Sequence, residues 1–97
     1  MKIHVKTYYK YFGLTPRVDV IYDEYEWIVN NREVVANQIH HIDHGASKWE
    51  GIENYMGLTF DNHDLCHNRG SQIAGDFADR KRLKEIHLEF MNGNNPY

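Results

Sequence analysis

Histidine spacing is the feature that most constrains this chain. Five of its seven histidines fall within the 28 residues from position 40 to position 67. His63 and His67 are four residues apart, so on a helix both imidazoles project from the same side and can converge on one cation. The adjacent pair His40 and His41 would supply further nitrogen ligands. The segment is therefore predicted to fold around a metal ion.

Length and composition predict one small domain spanning residues 1–97, with a core of marginal size. No apolar run reaches the roughly 18 residues of a membrane span, and the first ten residues lack the apolar segment of a secretory signal. The single cysteine, Cys66, excludes an internal disulfide and a multi-cysteine zinc site, so a metal site must use histidine and oxygen ligands. We therefore expect a cytoplasmic protein that has no membrane span.

The charge balance argues against a strongly basic protein. The formal net charge is −3, whereas many free-standing nucleic-acid binders are basic overall. The cations are nevertheless clustered, at the N terminus and after the histidine segment. They are Lys2, Lys6 and Lys10 in the first group, and Arg69, Arg80, Lys81, Arg82 and Lys84 in the second. A local basic face is compatible with this distribution.

Apolar periodicity predicts a helix near each end of the chain. The first covers Val5–Phe12 and ends at Gly13. The last begins at Asp76 or Asp79 and runs to about Met91. Its apolar stripe consists of Leu83, Ile86 and Phe90.

The middle of the chain predicts strands and one short helix. Alternating and β-branched residues favour one or two strands between positions 18 and 29, and a strand at 34–42 paired with 54–60. Asp61 is predicted to cap a helix that carries His63 and His67 and stops at Gly70. Together these elements predict an α+β fold.

Several short motifs follow one another in a fixed order. They are His40-His41-Ile42, Ile52-Glu53-Asn54, Leu58, and His63 with His67. Asn54 precedes His63 by nine residues, and His63 precedes His67 by four, as in colicin-type nucleases. The constellation resembles the HNH endonuclease family, the ββα-metal nucleases. The flanks at 8–13 and 83–91 look like those of small HNH proteins of phages and prophages, so the resemblance covers about residues 8–91.

One departure from such phage proteins concerns zinc. Many of them carry two Cys-x-x-Cys knuckles that bind a structural zinc ion. Thr59 and Asn62 stand where the second knuckle would align, and Cys66 cannot restore a four-cysteine site. This chain is therefore expected to hold its fold by side-chain packing.

The resemblance implies a fold and an activity. The fold would be a ββα-metal (His-Me) finger at about residues 34–70, flanked by the N-terminal helix and the amphipathic C-terminal helix. The activity would be metal-dependent hydrolysis of DNA phosphodiester bonds that leaves 5′-phosphate and 3′-hydroxyl ends. The protein would then act in a bacterial host cytoplasm and be encoded by a phage or prophage.

The resemblance also implies residue roles. His40, His63 and His67 would bind one divalent metal ion, His41 would be the general base, and Asn54 would hold the loop that bears the base. Three imidazole ligands favour Mn²⁺, Ni²⁺, Co²⁺ or Zn²⁺ over Mg²⁺. His40 and His41 are adjacent and would face opposite sides of a regular strand, so the strand must end or twist there.

Other side chains have two interpretations each. Contact with DNA is a hypothesis for His44, Arg69, Arg80, Lys81, Arg82 and Lys84, although helical cations are by default a solvated face. His4 and His87 are expected on amphipathic surfaces. The alternative function is a non-catalytic metal-binding module for nucleic acid or a phage packaging partner, which the negative charge favours. A toxin-like nonspecific nuclease is a further alternative, but such proteins are usually basic.

Overall fold

The computed structural model describes residues 1–45, 49–68 and 73–97. These residues form an α+β fold with four α-helices, two short 3₁₀ helices (Ile52–Asn54 and Gly75–Ala78) and two small antiparallel sheets, which confirms the predicted α+β class. The helices are α1 (Ile3–Tyr11), α2 (Glu24–Ile28), α3 (Phe60–His67) and α4 (Arg80–Met91). The strands are β1 (Ile21–Tyr22), β2 (Val35–Ala36), β3 (Gln38–His41) and β4 (Tyr55–Leu58). None of the described helices is both long and apolar enough to cross a membrane.

The antiparallel hairpin of β3 and β4 leads directly into α3. His40 lies opposite Met56 in its register, and β4 is buried along its whole length. The predicted pairing of 34–42 with 54–60 is therefore confirmed for residues 38–41 and 55–58 and is wrong for 35–36. The first of these segments is divided at Asn37, because β2 pairs with β1 and only β3 pairs with β4.

The strand predicted at 25–29 is wrong, because these residues form most of α2 and its C-terminal cap. The Asp23 carboxylate accepts a hydrogen bond from the Glu26 backbone amide at 2.9 Å and so caps the helix. Tyr25 and Ile28, one helical turn apart, both pack against the core cluster. Capping and core packing therefore outweigh the strand propensity of this aromatic, β-branched segment.

The N-cap of α3 also differs from the prediction. Thr59, not Asp61, caps the helix, and its hydroxyl accepts from the Asn62 amide at 3.2 Å. The Thr59 amide itself donates to the Asp23 carboxylate at 2.7 Å. This tertiary contact holds Thr59 in the extended conformation that an N-cap requires. The predicted helix end at Gly70 lies outside the described residues.

The two terminal helices confirm their predictions. Gly13 follows α1 with a φ of 69°, a left-handed conformation that glycine adopts without strain. Asp79, rather than Asp76, caps α4 by accepting from the Arg82 amide at 3.2 Å. The predicted stripe of Leu83, Ile86 and Phe90 is fully buried.

The prediction that His87 lies on a surface is wrong. Its relative exposure is 1%, and its ring lies between the Glu24 carboxylate and the Ile52 carbonyl. His87 directly follows Ile86 on the buried side of α4, where Glu24 provides a partner of opposite charge. A polar residue beside an apolar stripe is thus part of the core.

Candidate metal centre

Three histidines converge between the hairpin and α3. His63 and His67 lie one helical turn apart on α3, and their Nε2 atoms are 3.1 Å apart. β3 brings His40 against them, with ring centroids 4.8 Å from His63 and 5.6 Å from His67. One ring nitrogen from each residue lies within 4.8 Å of the other two. These three residues are close enough to hold a metal ion.

The donor set fits a divalent transition ion. Nitrogens bound at about 2.0–2.1 Å in tetrahedral coordination lie roughly 3.4 Å apart, so small side-chain rotations would suffice to bring these three into the first coordination shell. Neutral imidazole is a ligand for Zn²⁺, Ni²⁺ and similar ions. Three such ligands would leave the charge of the ion uncompensated and one coordination position open.

Burial and the neighbouring histidines disfavour the protonated forms of His40 and His63. His40 is 2% exposed, and burial, followed by the charges of the neighbouring histidines, lowers its pKa to about 3. Burial and then the charge of His67 also lower the pKa of His63. Because a metal competes with protons for the imidazole lone pair, these shifts favour metal binding near neutral pH.

A single open cavity of about 670 Å³ contains the histidine cluster. Residues from α1, β3, α3 and the loop after β3 line it: Lys2, Ile3, His4, Gln38, Ile39, His40, His41, His44, Glu50, His63 and His67. All three predicted ligands and His41 therefore open onto the same space. His44 is also there, with its ring centroid 6.5 Å from that of His40 and 6.0 Å from that of His67.

His41 reaches the cavity from a different side than His40. Its ring lies 4.8 Å from that of His4 and 5.2 Å from that of Tyr55, whereas His40 contacts the rings of α3. Adjacent residues on a regular strand face opposite sides, so His40 and His41 could serve one site only if the strand ended or twisted there. In the structure β3 ends at His41, and both His40 and His41 line the cavity.

An acidic residue that sequence analysis missed stands next to His41. The His41 Nε2 atom is buried and makes no hydrogen bond to any described residue, and Glu50 Oε1 lies 3.5 Å from it. The other oxygen of Glu50 accepts a hydrogen bond from the Tyr55 hydroxyl at 2.5 Å. Burial, with this hydrogen bond, raises the pKa of Tyr55 to about 12, so Tyr55 remains a donor. Glu50 belongs to no helical or strand pattern in the sequence. Its position in the loop between His41 and Asn54 is the one sequence feature that could have identified it.

Asn54 closes the loop between the two strands of the hairpin. It is fully buried, and its Oδ1 accepts from the Asp43 amide at 2.7 Å. Its Nδ2 donates to the Asp43 carbonyl at 3.0 Å and to the Trp49 carbonyl at 2.9 Å. One amide side chain thus binds both ends of the loop and positions Glu50, the residue after Trp49.

None of the predicted substrate contacts on α4 lines the cavity. Arg80 and Lys84 are 3.7 and 2.6 Å from the carboxylate of Asp43, and Arg82 lies near Asp76 and Glu85. Two further predicted substrate contacts are Lys81, which is exposed, and Arg69, which lies outside the described residues.

Comparisons with protein-family models, curated proteins and solved structures find no significant match to this chain.

Proposed function

We propose that this protein is a metal-dependent endonuclease of the HNH type that hydrolyses DNA phosphodiester bonds. The observation that carries the proposal is the shared cavity, in which three convergent imidazoles lie beside a fourth, His41. The order of the elements, a hairpin followed by a helix that carries two of the imidazoles, is that expected of a ββα-metal finger.

His40, His63 and His67 would hold the ion. When bound, a divalent ion would act as a Lewis acid on the phosphate and stabilise charge on the departing oxygen. Mn²⁺, Ni²⁺, Co²⁺ and Zn²⁺ suit three nitrogen ligands better than Mg²⁺ does. Which of these ions supports turnover is a separate property from which binds most tightly.

His41 would take the proton from the attacking water. Its ring opens onto the cavity but lies against His4 and Tyr55 rather than among the three ligands. A neutral imidazole in that place can accept a proton without competing for the metal. Asn54 would position this base by holding the loop ends, through hydrogen bonds that involve only backbone partners.

A non-catalytic metal module is the second candidate, and His44 is the observation that favours it. His44 lines the cavity near two of the ligands, so a movement of its ring would make it a fourth ligand. Structural zinc sites have four protein ligands, whereas catalytic sites keep one position open. The net charge of −3 also agrees better with a weak or partner-assisted contact with DNA.

Plasmid nicking tests the proposal. Wild type, His41→Ala and His63→Ala are incubated with supercoiled plasmid and Mg²⁺, Mn²⁺, Co²⁺, Ni²⁺ or Zn²⁺, with a chelator control. We expect metal-dependent nicking by wild type alone, with metal binding retained in His41→Ala and reduced in His63→Ala. Sealing of the nicks by DNA ligase would confirm 5′-phosphate and 3′-hydroxyl ends. Equal nicking by wild type and His41→Ala, or metal binding without cleavage by wild type, would contradict the proposal.

A further inference from the structure

The outer face of α1 carries a row of three lysines. Lys2, Lys6 and Lys10 are exposed, and they follow one another at intervals of four residues at the start of the chain. At about 100° per residue they lie within ~80° of arc on the side of the helix away from the buried Tyr8. None of the three forms an ion pair with any described residue.

Three cations of α4, by contrast, lie beside acidic side chains. Arg80 and Lys84 share one carboxylate, that of Asp43. Arg82 lies 4.0 Å from Asp76 and 3.8 Å from Glu85. Their charge is largely compensated within the protein, and a phosphate would have to compete with these carboxylates. Sequence alone does not distinguish the two groups. Among the described residues, all three lysines of the first group lack an ion-pair partner, whereas in the second group this holds for Lys81 and not for Arg80, Arg82 or Lys84.

The α1 face is continuous with the histidine cavity. Lys2, Ile3 and His4 line that cavity, and the ring of His4 lies 4.8 Å from that of His41. The row of lysines therefore begins at the mouth of the cavity and leads away from it along α1. A strand held at the cavity would have its next phosphates beside this helix.

We propose that the face of α1 formed by Lys2, Lys6 and Lys10 binds backbone phosphates of the DNA strand that enters the histidine cavity. The inference rests on the proposed function. The three amines leave the helix about 6 Å apart along its axis, and phosphates of one DNA strand recur every ~3.4 Å along the duplex axis. Flexible lysine stems can accommodate this difference on an obliquely placed helix. A local basic row also explains how a chain of net charge −3 would bind a polyanion.

Two triple variants that remove the same amount of charge test the surface. One is Lys2→Gln with Lys6→Gln and Lys10→Gln; the matched control is Arg80→Gln with Arg82→Gln and Lys84→Gln. Both are made in the His41→Ala background, so that duplex DNA stays intact during titrations by fluorescence anisotropy at several salt concentrations. Circular dichroism melting checks folding, and glutamine has a helix propensity close to that of lysine and arginine.

We expect the α1 variant to weaken binding at least about tenfold and to lower the slope of log affinity against log salt by roughly 2 to 3, since each phosphate contact contributes about 0.9. The α4 variant should change the slope by less than about 1. Equal effects of the two variants, a larger effect of the α4 variant, or no binding of duplex DNA by the parent protein would overturn the surface proposal.

The plasmid assay separates this inference from the nuclease proposal. Nicking by wild type, together with equal binding by the two triple variants, would contradict the proposed α1 surface and still support the nuclease proposal. Binding that depends on the α1 lysines, in a protein that never nicks, would keep the surface and support the non-catalytic module.

Discussion

His87 Nδ1 lies 2.6 Å from Glu24 Oε1, and both side chains are fully buried. The other ring nitrogen of His87 is 2.6 Å from the Ile52 carbonyl. Because both neighbours can only accept, the geometry is satisfied when both nitrogens carry protons. The second oxygen of Glu24 accepts from the Tyr8 hydroxyl at 2.6 Å and from the Gly57 amide at 2.9 Å. A buried ion pair thus connects α1, α2 and α4 to β4 and to the turn that bears Asn54.

Because of this pair, the free energy of unfolding should decrease as the pH rises through the pKa of His87 in the folded protein. Burial opposes the charged ring, but the charge and hydrogen bond of Glu24, with the Ile52 carbonyl, outweigh it and raise the pKa of His87. The stabilisation is therefore complete below the unfolded value of about 6.5 and is lost as pH rises through the folded pKa. Urea unfolding of metal-free protein between pH 6 and 9, followed by tryptophan fluorescence, should show this decline in wild type but not in His87→Gln. A decline of the same size in both proteins would assign it to other groups.

Replacing Glu24 alone should destabilise the protein more than replacing both Glu24 and His87. Glu24→Gln leaves the His87 ring without its counter-charge, and loss of one partner of a buried pair costs about 3–5 kcal/mol. A double variant, Glu24→Gln with His87→Gln, should be more stable than the sum of the single effects predicts. Denaturant midpoints of all four proteins form the double-mutant cycle. Additive losses would mean that the two side chains do not interact energetically.

Metal binding should separate the histidines into two groups. His40→Ala, His63→Ala and His67→Ala should each reduce the affinity for Zn²⁺ or Ni²⁺ in calorimetry and reduce the rise in Tm that the metal causes. His41→Ala and His44→Ala should retain both. A large loss of affinity in His44→Ala would instead identify a closed four-ligand site, which is the arrangement expected of the non-catalytic module.

Asn54→Ala should disturb catalysis without removing the metal site. Its three hydrogen bonds hold both ends of the loop, and buried backbone groups left without partners cost about 1–3 kcal/mol each. We expect a lower Tm and reduced cleavage with metal affinity close to wild type. Asn37→Ala, at an exposed position just before β3, is the matched control and should change neither Tm nor cleavage. Full activity of Asn54→Ala would show that the loop needs no such anchor.

Glu50 is predicted to position the base. A carboxylate 3.5 Å from His41 Nε2 can orient the ring so that its other nitrogen faces the cavity, as carboxylates do for histidine bases elsewhere. Glu50→Ala should lower kcat for plasmid nicking at least about tenfold while KM and metal affinity stay near wild type, and Glu50→Asp should recover part of the loss. A change confined to KM would place Glu50 in substrate binding instead.

Local sequence determined the elements that carry the site. Helix periodicity and glycine or aspartate signals located α1 and α4, and the spacing of His63 and His67 on α3 needs no tertiary information. The pairing of the two hairpin segments also followed from their composition. The helix predictions succeeded because each depends on residues within one or two turns of each other, and the hairpin prediction rested on the strand propensity of two segments separated by a loop.

Tertiary contacts decided the remainder. The segment at 25–29 is helical because its apolar residues pack against the core and add to the local cap by Asp23, although its intrinsic propensity favours a strand. Thr59 replaced Asp61 as a cap because the same Asp23 holds its amide from 36 residues away. The local sequence around Thr59 does not contain this carboxylate.

The sequence alone thus determined which imidazoles could converge, since i and i+4 spacing on a helix is a local geometric fact. Only the tertiary structure decided what surrounds them. It placed Glu50 beside His41, paired Arg80 and Lys84 with Asp43, and left the α1 lysines without an acidic partner among the described residues. The physical reason is that electrostatic compensation depends on distances between groups that are remote along the chain.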